Sequence, residues 1–157
     1  MSKKIVIYNG AETSLDLSSI SETLTFIEQV VIPNIFQNDQ ENLLRSVKFL
    51  KVSKNDSIKS SVDKLQSFTF HKDTVCLYSY GPHIQKLLSI VEIAKSTIDT
   101  NCKQWNKLTN FELSQEGRNE LLEKRTIVPI LIAFLTISEE FNYDFFKNEL
   151  NGFTKQY

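Results

Sequence analysis

Histidine, cysteine and tryptophan are scarce in this chain, with two, two and one among 157 residues. Cys76 and Cys102 do not have metal-ligand spacing, and Cys76 lies in an apolar run, so the expectation is a reduced intracellular thiol. A two-histidine cleavage site built from His71 and His83, helped by Lys72 or Lys86, is conceivable, but nothing in the sequence brings these residues together. There is no glycine-rich phosphate loop, zinc spacing or acidic metal cluster. The expectation is therefore no catalytic residue, no metal and no cofactor. No apolar stretch is long enough to span a bilayer, so no membrane partner is expected. The basic start "MSKKIVIYNGAE" carries too short an apolar run, and no small-residue cleavage pattern, for a secretory signal. Internal repeats and low-complexity tracts are absent.

An excess of charge is also lacking, since the net value is −1. Its distribution is uneven. Residues 1–40 hold two lysines against five acids, whereas residues 45–72 hold seven basic residues against Asp56 and Asp63. Such a basic middle can form an electrostatic footprint for nucleic acid that the total hides. It can equally be a solvated face. The apolar fraction of 41% and the length suit one domain with a substantial core.

Residues 15–32 read as a helix, with a Ser19–Glu22 capping box and Ile20, Leu24, Ile27 and Val31 on one face. Pro33 is expected to end or kink it, and a loop follows. Ser46–Ser53 is strand-like. Asn55 or Asp56 can cap a helix carrying Ile58, Val62 and Leu65. Thr74–Tyr80, "TVCLYSY", is apolar on both faces and suits an inner strand. Gly81-Pro82-His83 then leads into a helix striped by Ile84, Leu87, Leu88, Val91, Ala94 and Ile98, with proline in its tolerant first turn. Gln104–Ser114 and Thr126–Ser138 read as strands joined by a long charged loop, with Pro129 near a strand start or on an edge. The C-terminal "EEFNYDFFKNELNGF" reads as a short helix whose aromatics cover part of the core. This order describes a small two-layer α/β sandwich, with right-handed crossovers placing both helices on one face of the sheet.

The order of elements and the stretch "VCLYSYGPHIQKLLSIVEIAK" resemble the Alba-like family of small βαβαββ nucleic-acid-binding proteins. "SKNDSIKSSVDKL", "QWNKLT", "EGRNEL", "VPIL" and "FTKQ" bring the likeness closest to the smaller Alba-like subunits of fungal nuclear ribonuclease P and ribonuclease MRP. The likeness spans most of Ser53–Gln156. It implies one Alba-like domain, with residues 1–44 as a helical N-terminal extension, 45–138 as the core and 139–157 as a C-terminal segment. It further implies a non-catalytic subunit that pairs with a second Alba-like subunit. That heterodimer would grip a helical, internal-loop element of the catalytic RNA, beside other particle proteins, in the nucleus and largely the nucleolus. Precursor tRNA and rRNA processing would be the outcome, and telomerase RNA is a further implied ligand.

Carried onto this chain, the resemblance marks three RNA-binding areas. The first is Lys51, Lys54 and Lys59, near a helix start where free N–H groups seat phosphate. The second is Tyr80, Gly81, His83 and Lys86. Here Gly81 allows close approach, His83 can bond phosphate or stack on a base, and Lys86 can reach the backbone. Core packing is the competing role for Tyr80, and local hydrogen bonding for His83. The third is Arg118, Lys124 and Arg125 in the hairpin loop, where Glu112, Glu116, Glu120 and Glu123 offer intramolecular partners instead. Trp105 suits a core or an interface better than a stacking platform. Ile84, Leu88, Phe134 and Leu135 are candidates for the dimer interface. A general Alba-like chromatin or messenger-RNA protein, and a protein-only adaptor, are the alternatives.

Overall fold

The computed structural model describes residues 4–36, 46–97, 102–116, 123–137, 144–147 and 152–156. Its centre is the strand that is apolar on both sides. All seven residues of Thr74–Tyr80 (β4) are buried, because this strand has a neighbour on each edge and a layer on each face. Val47–Lys51 (β3) runs parallel to it, with Val47 opposite Thr74 and Lys51 opposite Tyr78. Glu123–Thr136 (β6) runs antiparallel on the other side, from Leu135 opposite Val75 to Ile130 opposite Tyr80. Lys103–Glu116 (β5) completes a long hairpin with β6. Both strands reach further toward the turn than the charged sequence suggests. Pro129 pairs with Asn110 one residue beyond the end of β4, where the second edge of β6 is already open.

The parallel pair requires a crossover, which Ile58–Phe70 (α3) supplies. Its cap is Ser57, whose hydroxyl accepts the Ser60 N–H at 3.2 Å. Asn55 and Asp56 do not serve, because the Asp56 carboxylate is already taken by the Ser53 N–H at 2.7 Å. Ile84–Thr97 (α4) follows β4 through the single 3-10 turn Gly81–His83. Helices α3 and α4 cover one face of the sheet with an aliphatic cluster that includes Leu50, Leu65, Leu77, Leu87, Ile90 and Leu135. This is the expected α/β sandwich.

The N-terminal extension adds a third layer and two strands. Lys4–Tyr8 (β1) and Ala11–Thr13 (β2) form a hairpin that joins the sheet beside β5, giving the order β2-β1-β5-β6-β4-β3. Asn9 and Gly10 both have positive φ, 53° and 79°, the conformation a two-residue type I′ turn demands. The helical segments Ile20–Phe26 (α1) and Ile32–Phe36 (α2) follow, joined by a π-helical stretch, Ile27–Val31. Ser19 caps α1, accepting the Glu22 N–H. Pro33 does not end the helix. The Ile32 N–H donates back to Ile27, and the widened turn lets Pro33 fall in the opening of α2, where its missing N–H costs little. These segments, with Phe146 from Asp144–Lys147 (α5) and Phe153, cover the opposite face of the sheet with an aromatic cluster. Thr154–Gln156 (β7) adds a short strand to β5.

Candidate nucleic-acid interface

The loop between β3 and α3 and the turn between β4 and α4 lie side by side, because β3 and β4 are parallel neighbours. Three side chains, from β4, its turn and the first turn of α4, fasten the loop. The Ser79 hydroxyl donates to the Val52 carbonyl at 2.7 Å. The His83 Nδ1 accepts the Lys54 backbone N–H at 2.9 Å. The Lys86 ammonium donates to the carbonyls of Lys54 and Asp56 at 2.7 and 2.8 Å. Within the loop, Ser53 Oγ accepts the Asn55 N–H at 3.3 Å. A segment that would otherwise be a free connection is thereby held before any ligand arrives.

Gly81 makes this clasp possible. Its φ of +53° lies in the left-handed region, where a side chain costs roughly 1–2 kcal/mol. Space is not the constraint, since a Cβ there would meet the Val128 methyl at 3.5 Å. The turn sends His83 inward, only 3% exposed, with its ring 4.9 Å from that of Tyr80. Because Nδ1 accepts, the proton of the neutral ring sits on Nε2. Burial pushes the His83 pKa down, the Lys54 charge pushes it further down, and Asp56 opposes both. Tyr80 is buried too, donating its hydroxyl to the Leu17 carbonyl at 3.1 Å.

The expected RNA-binding residues thus separate by what they do inside the chain. Lys51, Lys54 and Lys59 are all exposed, at the end of β3, in the following loop and in the first turn of α3 respectively. Gly81, His83 and Lys86 hold the loop that carries Lys54 and joins the other two. His83 and Tyr80 turn their rings to the interior, the local role that competed with RNA contact. Lys124 and Arg125 are exposed on β6, and Arg125 meets Glu112 at 3.4 Å, the intramolecular pairing that the acidic neighbours offered. Arg118 lies outside the described residues. His71 closes α3 at its far end, about 20 Å from the His83 clasp at the rise of a 13-residue helix. The two-histidine cleavage site therefore has no geometry.

The four interface candidates also separate. Phe134 and Leu135 have no exposed surface. Phe134 lies under Phe36, Phe146 and Phe153, and Leu135 belongs to the aliphatic cluster beneath the helices. Both layers of this chain already cover them, so they do not face outward as expected. Ile84 is half-buried, and Leu88 is exposed. Trp105 is core, stacked on Phe146 with ring centroids 5.9 Å apart and planes 18° from parallel.

Sequence reasoning missed Leu108 and Ile127, which are 67% and 65% exposed. Leu108 sits opposite Leu131, and Ile127 is four residues from Leu131 on the same strand face, the α4 side of the sheet. Lys95 donates to Gln104 Oε1 at 2.9 Å, and α4 runs opposite in direction to β5. Leu88, seven residues before Lys95, therefore comes level with Leu108, four residues after Gln104. The alternation that marks half-buried strands pointed to these positions but could not say that α4 leaves them uncovered.

Comparison with known proteins agrees with this architecture. Residues 48–112 match the Alba family model. The chain is 43% identical to the ribonucleases P/MRP protein subunit POP6 of Saccharomyces cerevisiae, over 96% of this chain and 98% of that protein. The chain belongs to the family of Alba-like protein subunits of ribonucleases P and MRP.

Proposed function

We propose that this chain is a non-catalytic, RNA-binding subunit of ribonuclease P and ribonuclease MRP, supporting precursor tRNA and rRNA processing while the RNA supplies the chemistry. The likeness to the yeast subunit along 96% of the chain carries this reading. The clasped loop supports it. Lys59 lies in the first turn of α3 and Lys54 in the loop before it, with Lys51 at the end of β3, and the capped start of α3 leaves backbone N–H groups for phosphate. Fixing the loop in advance removes much of the ordering cost of binding. His83 and Lys86 act as positioning residues, and Gly81 lets the backbone come close to the ligand.

A second Alba-like subunit docks on the face that carries Leu88, Leu108 and Ile127, an apolar patch rimmed by Asn110, Glu92 and Lys95. The pair grips a helical element with an internal loop, in the nucleus and largely the nucleolus, with telomerase RNA as a further ligand. Crosslinking the tagged protein in cells and sequencing the attached RNA tests this. Enrichment at one site in the ribonuclease P and MRP RNAs is the expected result. Broad recovery of many transcripts would instead indicate a general Alba-like binder. Absence of RNA, with particle proteins still co-purifying, would indicate a protein adaptor.

A further inference from the structure

The basic surface does not stop at the clasp. Among the described residues, strand β3 is the last in the sheet and pairs only with β4. Along this edge strand Lys48 is exposed on the α3 side with Leu50, and Lys51 on the opposite side with Val47 and Phe49. Lys72 follows α3 and lies two residues before Thr74, which is opposite the first residue of β3. The edge from Lys51 to Val47 spans about 13 Å at the rise of a strand, with Lys72 beyond its far end. Lys64 is exposed on α3, on the flank away from Gln66, whose amide donates to Thr97 of α4 at 2.5 Å. Lys48, Lys51, Lys54, Lys59, Lys64 and Lys72 are all exposed, and among the described residues none has a carboxylate within 4 Å.

Lysines on an edge strand can simply deter the addition of another strand. That role does not extend to Lys64 and Lys72, which lie off the strand. Lys72 also occupies a left-handed position, φ 59°, in a helix-ending turn closed by its N–H to Thr69 and by the Asp73 N–H to Phe68. Such a position ordinarily holds glycine or asparagine. Two residues earlier, Phe70 is 83% exposed, with the ring of His71 edge-on at 5.5 Å. A protein-docking aromatic usually sits within a contiguous apolar patch. Phe70, four residues after Gln66 and so on the α4 flank of the last turn of α3, instead stands almost free beside His71 and Lys72, an environment that suits an unpaired base.

We propose that this edge is a second RNA-contact track, continuous with the clasp, in which Lys48, Lys64 and Lys72 hold phosphates and Phe70 stacks an unpaired base. The proposal rests on the RNA-binding reading above. Its test is the affinity of the chain, in complex with its Alba-like partner, for a full-length ribonuclease P RNA transcript across a salt series. Three variants are compared with the natural chain: K48Q/K64Q/K72Q, Phe70→Ala, and K51Q/K54Q/K59Q at the clasp, with Phe70→Tyr as the conservative control for the second. The first should flatten the slope of log affinity against log salt by about 2 to 3, at roughly 0.7–0.9 for each lost phosphate contact. Phe70→Ala should weaken binding on the order of tenfold with the slope unchanged, as for a lost stack, while Phe70→Tyr retains affinity. Natural affinity and slope in K48Q/K64Q/K72Q, with binding weakened in the clasp variant, would overturn the track and leave the RNA-binding reading standing. Self-association of K48Q/K64Q/K72Q with unchanged affinity would also overturn it, assigning these lysines to solubility. Unchanged binding in Phe70→Ala would overturn the stacking role. Unchanged binding in all three variants would overturn the RNA-binding reading itself.

Discussion

The two faces of the sheet are built from different materials. Under α3 and α4 the packing is aliphatic, with Leu50, Val62, Leu65, Leu77, Leu87, Ile90 and Val91 contributed by segments close in the chain. The other face is aromatic, where Phe36, Phe134, Phe146 and Phe153 meet at ring-centroid distances of 4.8 to 6.1 Å. Those rings come from the N-terminal extension, β6 and the C-terminal segment. The aliphatic face is a self-contained crossover unit that positions the clasp. The aromatic face brings both described ends of the chain onto that unit. Large rings suit this task, because each buries much area and interlocks edge to face across segments without local contact order. The clasp stays connected to the aromatic side through Tyr80, whose hydroxyl reaches Leu17.

If both faces unfold as one unit, Phe134→Ala should cost about 3–5 kcal/mol and Leu77→Ala about 2–5 kcal/mol, with the same denaturant slope in urea unfolding. A shallower slope for Phe134→Ala alone would mean that the aromatic face opens separately. Gly81→Ala should cost roughly 1–2 kcal/mol through its backbone conformation. It should also weaken RNA binding, measured by gel shift, because the clasp moves with the turn. The His83 bond to Lys54 should be worth about 1 kcal/mol, and it should impose a pH dependence. The His83 pKa is lowered in the folded chain, so this stability is fully present above the ordinary value of 6.5 and is lost as the pH falls through the folded pKa. Thermal melts at stepped pH should show that acid loss in the natural chain, and His83→Ala should remove this component. Smallest of all, Glu112→Gln breaks an exposed pair with Arg125 and should change stability by less than about 1 kcal/mol in the same urea assay.

The aliphatic face was legible in the sequence because α3, α4 and β4 carry dense local periodicity. The helix stripe of Ile84, Leu87, Val91 and Ala94 and the two-sided apolar run of β4 are sufficient to place the crossover unit. Much of the aromatic face was not legible. Its strand β7 is three residues long, and Phe134 alternates along β6 without indicating what covers it. The Asn9-Gly10 turn was a readable hairpin signal, with apolar Ile5 and Ile7 in the strand before it. In the clasp, the type of turn at Gly81 was readable but the direction of His83 was not. That direction depends on the Lys54 N–H, which reaches the ring only because two parallel strands place their following loops together. The cap of α3 was ambiguous for a similar reason. Asn55, Asp56 and Ser57 are all competent, and the bond from the Ser53 N–H to Asp56 leaves the role to Ser57.

The most direct test of the central claim is residue-level crosslinking. The assembled particle is irradiated, its RNA digested, and the peptides bearing nucleotide adducts identified by mass spectrometry. Adducts within Val52–Lys59 and Gly81–Lys86 are the expected result, since the clasp holds these two segments as one RNA-facing surface. Adducts on other subunits with none in either segment would contradict the account.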